Sequence, residues 1–249
     1  MRRIVIVLGW LLLWQLASLA VGQSVILAGP VETLQALATL AVTAAFWQTV
    51  AHTMLRIAGG FLLAFCAGIV LGAAACRWKL LEEILAPVVS VMKSVPVVCF
   101  VILALAWVGS RRLTLVVVFL IVFPILYVQT MEGLKRTDSA LLEMAQVFGM
   151  KPWKRVRCLY LPALLPSLTA GCRLALGLSW KSGVAAEVIG TPMRSIGQQL
   201  YFAKIYLEMD RMFAWTLVIL LCSLLFERGF LWLLCRCNHA LEEHDELRM

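Results

Sequence analysis

Lys181-Ser182, with Glu187 six residues on, is the nearest this sequence comes to a catalytic constellation. A lysine and a hydroxyl close to a carboxylate can activate a nucleophile, so an intramembrane enzyme is one reading. The other groups such chemistry needs are scattered. His52 and His239 stand alone, and His244 lies in the acidic run Glu242-Glu243-His244-Asp245-Glu246 near the end of the chain, which reads as a solvated tail. The Cys residues, at 66, 76, 99, 158, 172, 222, 235 and 237, form no C-x-x-C pair. Cys235-x-Cys237-x-His239 falls short of the four ligands of a structural zinc site. No G-x-x-x-x-G-K-[ST] loop is present to cradle phosphates. The remaining chemistry is electrostatic. Lys181 can offer positive potential to an anion, or it can pair with a carboxylate such as Glu187 and hold helices together. Lys93, Ser94 and Pro96 form a second such group, and Arg173 is a further cation set in apolar sequence.

These residues are embedded in a chain that is 62% hydrophobic and 14% charged. Ordinary globular chains are about 45–50% apolar and about 25% charged, so the natural solvent here is lipid. Runs without formal charge cover 4–31, 57–76, 94–110, 113–131 and 212–226. A helix needs about 20 apolar residues to cross the hydrocarbon core. Backbone groups there must be satisfied within the segment, and the alternating short strands of a β-barrel are absent from the pattern. Net charge is +8, but the basic residues gather at the ends of apolar runs, which points to membrane orientation rather than nucleic acid.

The pattern predicts an all-α membrane protein with six spans, near 4–21, 53–75, 87–108, 113–131, 165–187 and 212–234, in one domain covering 1–249. With the N-terminus inside, Arg2, Arg3, Arg77, Lys79, Lys135, Arg136, Lys151, Lys154, Arg155, Arg157, Arg236 and Arg248 fall inside. Arg111, Arg112, Arg194, Lys204 and Arg211 fall outside. The bias predicts N-in, C-in. The segment 1–52 reads as an anchor span followed by an outer stretch, 53–235 as the core, and 236–249 as a cytoplasmic tail. The N-terminus imitates a signal peptide, but its apolar run is longer than the usual 7–15-residue core, so an uncleaved anchor is expected. Thr33, Gln35, Thr39, Thr43, Gln48 and Thr49 give 33–55 the look of an interfacial helix rather than a seventh span. Arg56 is expected to snorkel outward, and Arg173 to snorkel inward or bind a loop carbonyl. Trp47, Trp78, Trp107 and Trp153 lie near expected boundaries, as belt residues do. Gly60, Ala64, Gly68 and Gly72 place small residues on one face of the second span, so a neighbouring helix can come close.

The longest polar excursion, 132–164, holds a short helix. Asp138 or Ser139 caps its start and Gly149 suits the position just past its end. Its length is about 15 Å, too short to span. Leu141, Met144, Ala145 and Phe148 follow helical spacing and make an apolar stripe that needs a cover, either the lipid surface or the groove of a soluble partner. Pro152-Trp153 opens a further turn, and Leu161-Pro162 marks a break before the fifth span.

Glu143-Met144-Ala145, then Gly149, then Leu161-Pro162 resembles the EAA loop of permease subunits in bacterial ABC importers, with Met144 in place of the first Ala. "LAGPVETLQAL" at 27–37 resembles the segment after the first span of that family, departing at Ala28 and Gly29. "VMKSVPVVCFVILALAWVG" at 91–109 and "AGCRLALGLSWKSGVAAEVIG" at 170–190 resemble its third- and fifth-span regions. The resemblance covers nearly the whole chain and points to the subgroup that imports nitrate, aliphatic sulfonates and taurine. Relatives that carry thiamine-precursor pyrimidines keep a neutral or cationic solute as the alternative.

What the resemblance implies is specific. The fold is that of a type I ABC importer permease with a cytoplasmic coupling helix in the EAA-type loop 138–162. Leu141, Glu143, Met144, Ala145, Phe148, Gly149, Leu161 and Pro162 couple to a separate ATPase. Lys93, Ser94, Pro96, Arg173, Lys181 and Glu187 are candidates to line the solute path. The chain itself is not an enzyme and holds no cofactor; ATP and Mg are bound by the ATPase. An extracytoplasmic binding protein delivers solute to outer loops around 188–211, and a second permease copy completes the pathway in the bacterial inner membrane. A self-sufficient secondary transporter is the other class of reading, but the matched broken helices and inverted repeats it needs are not evident.

Overall fold

A computed structural model of the chain describes residues 2–23 and 25–246, with side chains over 4–23 and 25–236. All regular structure among them is helical. Five helices are long and apolar enough to cross a membrane, against the six spans expected. The difference lies in how the third and fourth expected spans are built.

Helix α1 (Arg2–Val21) is apolar all round and largely bare. Its C-terminal half is pinned to the following loop. Trp14 Nε1 donates to the Ala28 carbonyl at 3.0 Å, Ser18 Oγ donates to Leu27 O at 2.9 Å, and the Trp14 ring lies 5.5 Å from Phe213. Pro30 then opens α2 (Pro30–Ala41), where the Glu32 carboxylate reaches back to accept from Gly29 N–H at 3.1 Å.

Thr43 caps α3 (Ala44–Arg77), accepting from Phe46 N–H at 3.3 Å. The expected interfacial helix over 33–55 is therefore two things: α2 is separate, whereas 44–55 is the outer part of a continuous 34-residue helix. Its polar residues misled because Thr49 and Thr53 are buried inside the protein rather than turned to water.

Lys79 starts α4 (Lys79–Ser94), which ends at Val95-Pro96, where both residues are extended. At Val95-Pro96 the helix is fully broken. Helix α5 (Val97–Lys135) is itself two arms, 97–108 and 110–135, meeting at Gly109 with φ +68° and ψ 172°. A side chain at that φ is strained, and glycine removes the cost. Val101 and Ala104 share a buried cluster with Leu113, Val117 and Ala186. On a straight helix Val101 and Val117 would sit about 24 Å apart, so the arms fold back beside each other. The third expected span, 87–108, is thus divided between α4 and the first arm.

The second arm of α5 is the centre of the protein, with α3 on one side and α8 (Leu161–Gly190) on the other. A Cβ at Gly60 would meet Leu115 O at 2.7 Å, at Gly68 Leu126 Cβ at 2.8 Å, and at Gly72 Tyr127 O at 2.8 Å, while Ala64 is wholly buried. The small-residue stripe is therefore the α3–α5 seam, where backbones touch because no side chain intervenes. Across the other seam, a Cβ at Gly171 would strike Gln129, and Ser167 Oγ donates to Gln129 Oε1 at 3.1 Å. Helix α10 (Met209–Glu246) closes the bundle through Trp215 and Phe226, the latter 5.8 Å from Phe61.

Between α5 and α8 come α6 (Ser139–Val147), α7 (Pro152–Arg155) and a π-helical turn, Val156–Tyr160, that runs straight into α8. The expected break at Leu161-Pro162 is absent. Leu161 N–H bonds to Val156 O, a five-residue step, and Pro162 sits at the first positions of α8 where its missing N–H matters least. After α8, Thr191 at φ +40° turns the chain into α9 (Ile196–Ile205).

Candidate functional site

The first candidate region is α6 and the turn that follows it. Asp138 Oδ1 accepts from Ala140 N–H at 2.9 Å and starts the helix, as one of the two expected caps. At its end Gly149 has φ +63°, Met150 N–H bonds to Ala145 O at 2.9 Å, and Gly149 N–H to Gln146 O at 3.1 Å. This crossed pair closes the carbonyl end of the helix and requires a left-handed residue at position 149. Arg155 Nε donates to Met150 O at 2.9 Å and ties α7 to the same corner. Ala145 is the one buried residue of α6, 1% exposed. The expected stripe therefore divides: Ala145 turns in, while Leu141, Met144 and Phe148 turn out, Phe148 at 79% exposure. Glu143 is exposed beside them. Val147, Trp153 and Val156 extend the outward apolar patch, a contribution that helical spacing within α6 alone did not reveal.

The second region lies at the other end of the bundle. Glu187, completely buried, accepts from Thr53 Oγ1 at 2.9 Å and from Gly197 N–H at 3.3 Å. Arg56 Nη1 stands 3.5 Å from Glu187 Oε1, and Arg56 Nη2 donates to Met193 O at 3.1 Å. Thr53 Oγ1 in turn accepts from Ile196 N–H at 3.0 Å. Two sequence expectations are corrected here. Arg56 turns inward, its side chain 18% exposed, rather than snorkelling out. Glu187 pairs with Arg56 and not with Lys181 of its own chain, because it lies on the α8 face packed against α3 and α9, whereas Lys181 lies on the opposite side. Glu187 has no exposed surface within the single chain. Thr53 and Gly197 were missed by sequence reasoning; the signal was Thr53 and Arg56 at a three-residue spacing, which puts both on one helix face. A Cβ on Gly197 would land on Glu187 itself, so the glycine admits the carboxylate.

The third region is the bare face of α8. Arg173, Leu174, Lys181, Ala185 and Ile189 are exposed at helical spacing, and Gly177 on the same face has open space before it. Lys181 is at the middle of this stripe and forms no ion pair among the described residues. Arg173 borders a groove with Leu165, Pro166, Thr169, Leu234 and Cys235. Ser182 faces inward and donates to Leu178 O at 2.8 Å, so Lys181, Ser182 and Glu187 point three different ways and assemble no catalytic group. Lys93 and Ser94 border a cleft between α4 and α5, and Pro96 forms the break above it. Cys235 is exposed on α10, and the side chains of Cys237 and His239 lie outside the described residues.

Comparison with known proteins agrees with this layout. Residues 64–234 match the family described as binding-protein-dependent transport system inner membrane component. The taurine transport system permease protein TauC of Escherichia coli is 27% identical over 222 residues, covering 87% of this chain and 80% of that one. The putative aliphatic sulfonates transport permease protein SsuC of Bacillus subtilis is 27% identical over 209 residues, covering 83% and 75%. The crystal structure of an amino acid ABC transporter with histidines superposes with a TM-score of 0.55 over 78% of this chain and 94% of that one, at 16% identity, a likeness of fold alone. Members of this family are transport subunits that work with an ATPase and a binding protein and are not themselves catalytic. The chain belongs to the family of binding-protein-dependent inner-membrane ABC permeases.

Proposed function

We propose that this chain forms the solute pathway of a bacterial ATP-driven importer for a small anion such as a sulfonate, taurine or nitrate. The observation that carries the coupling half of this reading is α6. It is a helix capped at both ends, with Ala145 buried and the apolar side chains of Leu141, Met144, Phe148 and Trp153 exposed. Such a patch is suited to the groove of a soluble partner, with Glu143 on its rim. The partner in this reading is an ABC ATPase, which binds the ATP and Mg. The basic residues around α7 support an inside position for this end and hence N-in, C-in, with α4 and the first arm of α5 jointly making the third pass.

Lys181 carries the solute half. A lysine at the centre of an uncovered helix face is costly against lipid. A second copy of the chain, set with its α8 face toward the first, encloses the two lysines in a shared water-filled path and turns the cost into selectivity for anions. The two most informative relatives are named for solutes bearing a sulfonate. The outer segment 188–211, with Met193, Tyr206 and Leu207 exposed, receives the binding protein in this scheme.

The test is reconstitution of the permease with the ATPase and binding protein encoded beside it. Wild-type vesicles are expected to accumulate taurine or a sulfonate only with ATP inside the compartment that holds the ATPase. Binding of a cation or neutral pyrimidine by that binding protein, with no anion uptake, overturns the solute half. Undiminished transport with Phe148→Asp overturns the coupling half.

A further inference from the structure

Helix α4 lies between two extended joints. Trp78, at φ −120° and ψ 102°, separates it from α3, and Val95-Pro96 separates it from the first arm of α5. Pro87 lacks the N–H for one internal bond, yet the helix runs through it. Its inward face is Leu81, Leu85, Val89 and Met92, packed against the main core. Such apolar contacts carry little direction. Among the described residues one directional side-chain contact ties α4 to another element: Lys135 Nζ donates to Glu82 Oε1 at 2.6 Å. Lys135 is 46% exposed and Glu82 31%, so the pair adds little to stability. What it supplies is a fixed register between two helices.

Lys135 is the last residue of α5, and the chain from it to α6 is braced. Arg136 N–H bonds to Glu132 O at 3.1 Å. Thr137 donates twice to Leu134 O, through its N–H at 3.2 Å and its Oγ1 at 2.9 Å. Asp138 then caps α6. The start of α6 is therefore held to the end of α5, and Glu82 is bonded to that same end. At its other end α4 leads through Pro96 into the first arm of α5. There Val101 and Ala104 pack with Ala186, the neighbour of Glu187. The ion pair is thus the first link of a second route from α6 to the Glu187 end of the bundle, separate from α8.

We infer that Glu82 and Lys135 are positioning residues for transport, whose ion pair makes α4 and the first arm of α5 follow α6. The inference rests on the reading of α6 as the helix that docks on the ATPase. Breaking the pair leaves docking and basal ATP hydrolysis in place and loosens their connection to the pathway.

The experiment uses the permease reconstituted with its ATPase and binding protein. It reads taurine taken up per ATP hydrolysed, with Tm and ATPase co-purification measured on the same preparations. Glu82→Gln and Lys135→Gln are each expected to lower uptake per ATP about fivefold or more, the low end of ordinary coupling between sites. Stimulation of ATP hydrolysis by the binding protein, which needs no solute assignment, is expected to fall alongside. Lys135→Arg, and the exchange of Glu82→Lys with Lys135→Glu, are expected to recover most of both, because each restores an ion pair. In every variant Tm is expected to stay within about 1 °C, with the ATPase yield unchanged. Phe148→Asp, run alongside, is expected to lower the ATPase yield instead, so failure of the docking reading shows in that protein alone. Unchanged uptake per ATP and stimulation in both single variants overturns the inference. So does an exchange no better than either single change, a loss that tracks a lowered Tm, or failure of either single variant to assemble.

Discussion

Arg56 and Glu187 meet at 3.5 Å between α3 and α8, and the same guanidinium holds the carbonyl of Met193 in the loop leading to α9. One cation therefore joins α3, the C-terminal end of α8 and the loop that leads to α9. Glu187 has no exposed surface, so its charge depends on Arg56, Thr53 and the Gly197 amide. Arg56→Ala leaves the carboxylate buried with hydrogen bonds but no counter-charge. A loss of about 3 kcal/mol is expected, read as a lowered Tm of the purified complex. Pairing it with Glu187→Gln is expected to restore part of that loss, and full additivity of the two changes would show that the residues do not act together.

Gly149 is required by the left-handed turn that ends α6. Gly149→Val is expected to cost about 1–2 kcal/mol locally and to distort the patch formed by Met144 and Phe148. The protein is expected to insert and remain folded while ATP-driven uptake falls at least tenfold. Retention of wild-type uptake in reconstituted vesicles would contradict a docking role for this corner.

Phe148 contributes exposed apolar surface and little to the fold. Phe148→Asp is expected to leave the Tm of the isolated permease within about 1 °C, since surface changes cost little. Co-purification with the ATPase is expected to drop more than tenfold. A stable complex at unchanged yield argues that α6 rests elsewhere.

Gly68 is a close contact of a different kind, in the seam between two helices. A leucine there must displace Leu126 and the backbone at Tyr127. Gly68→Leu is expected to destabilise by about 3 kcal/mol or to block assembly, whereas Gly68→Ala costs less because one methyl can be absorbed by a small shift. Equal Tm values for both variants would mean that the α3–α5 contact is looser than described.

Lys181 is tested by charge. Lys181→Gln is expected to lower anion uptake about tenfold or more while leaving coupling to ATP intact, and Lys181→Arg to recover much of it. A charge 4 Å from a solute is worth about 4 kcal/mol at an effective dielectric of 20, so a large effect is anticipated. Equal uptake by all three proteins removes Lys181 from the path.

The small-residue stripe of α3 and the caps of α6 were legible because each rests on local sequence: glycine spacing in one case, Asp138 and Gly149 in the other. The partner of Glu187 was not. Arg56 lies 131 positions away, and only the packing of α3 against α8 brings the two together. The third span was misjudged for a related reason. Hydropathy sees 87–108 as one apolar stretch, but Pro96 removes a backbone donor and Gly109 reverses the chain, so the apolar residues belong to two helices.

The π-helical turn at Val156–Tyr160 makes 152–190 a single helical column, from the corner beside α6 past Lys181 to Glu187. At about 1.5 Å per residue the column is roughly 58 Å long, and a tilt of about 10° about its midpoint carries each tip some 5 Å sideways. A push applied near Arg155 would be carried to the far tip along one unbroken helix.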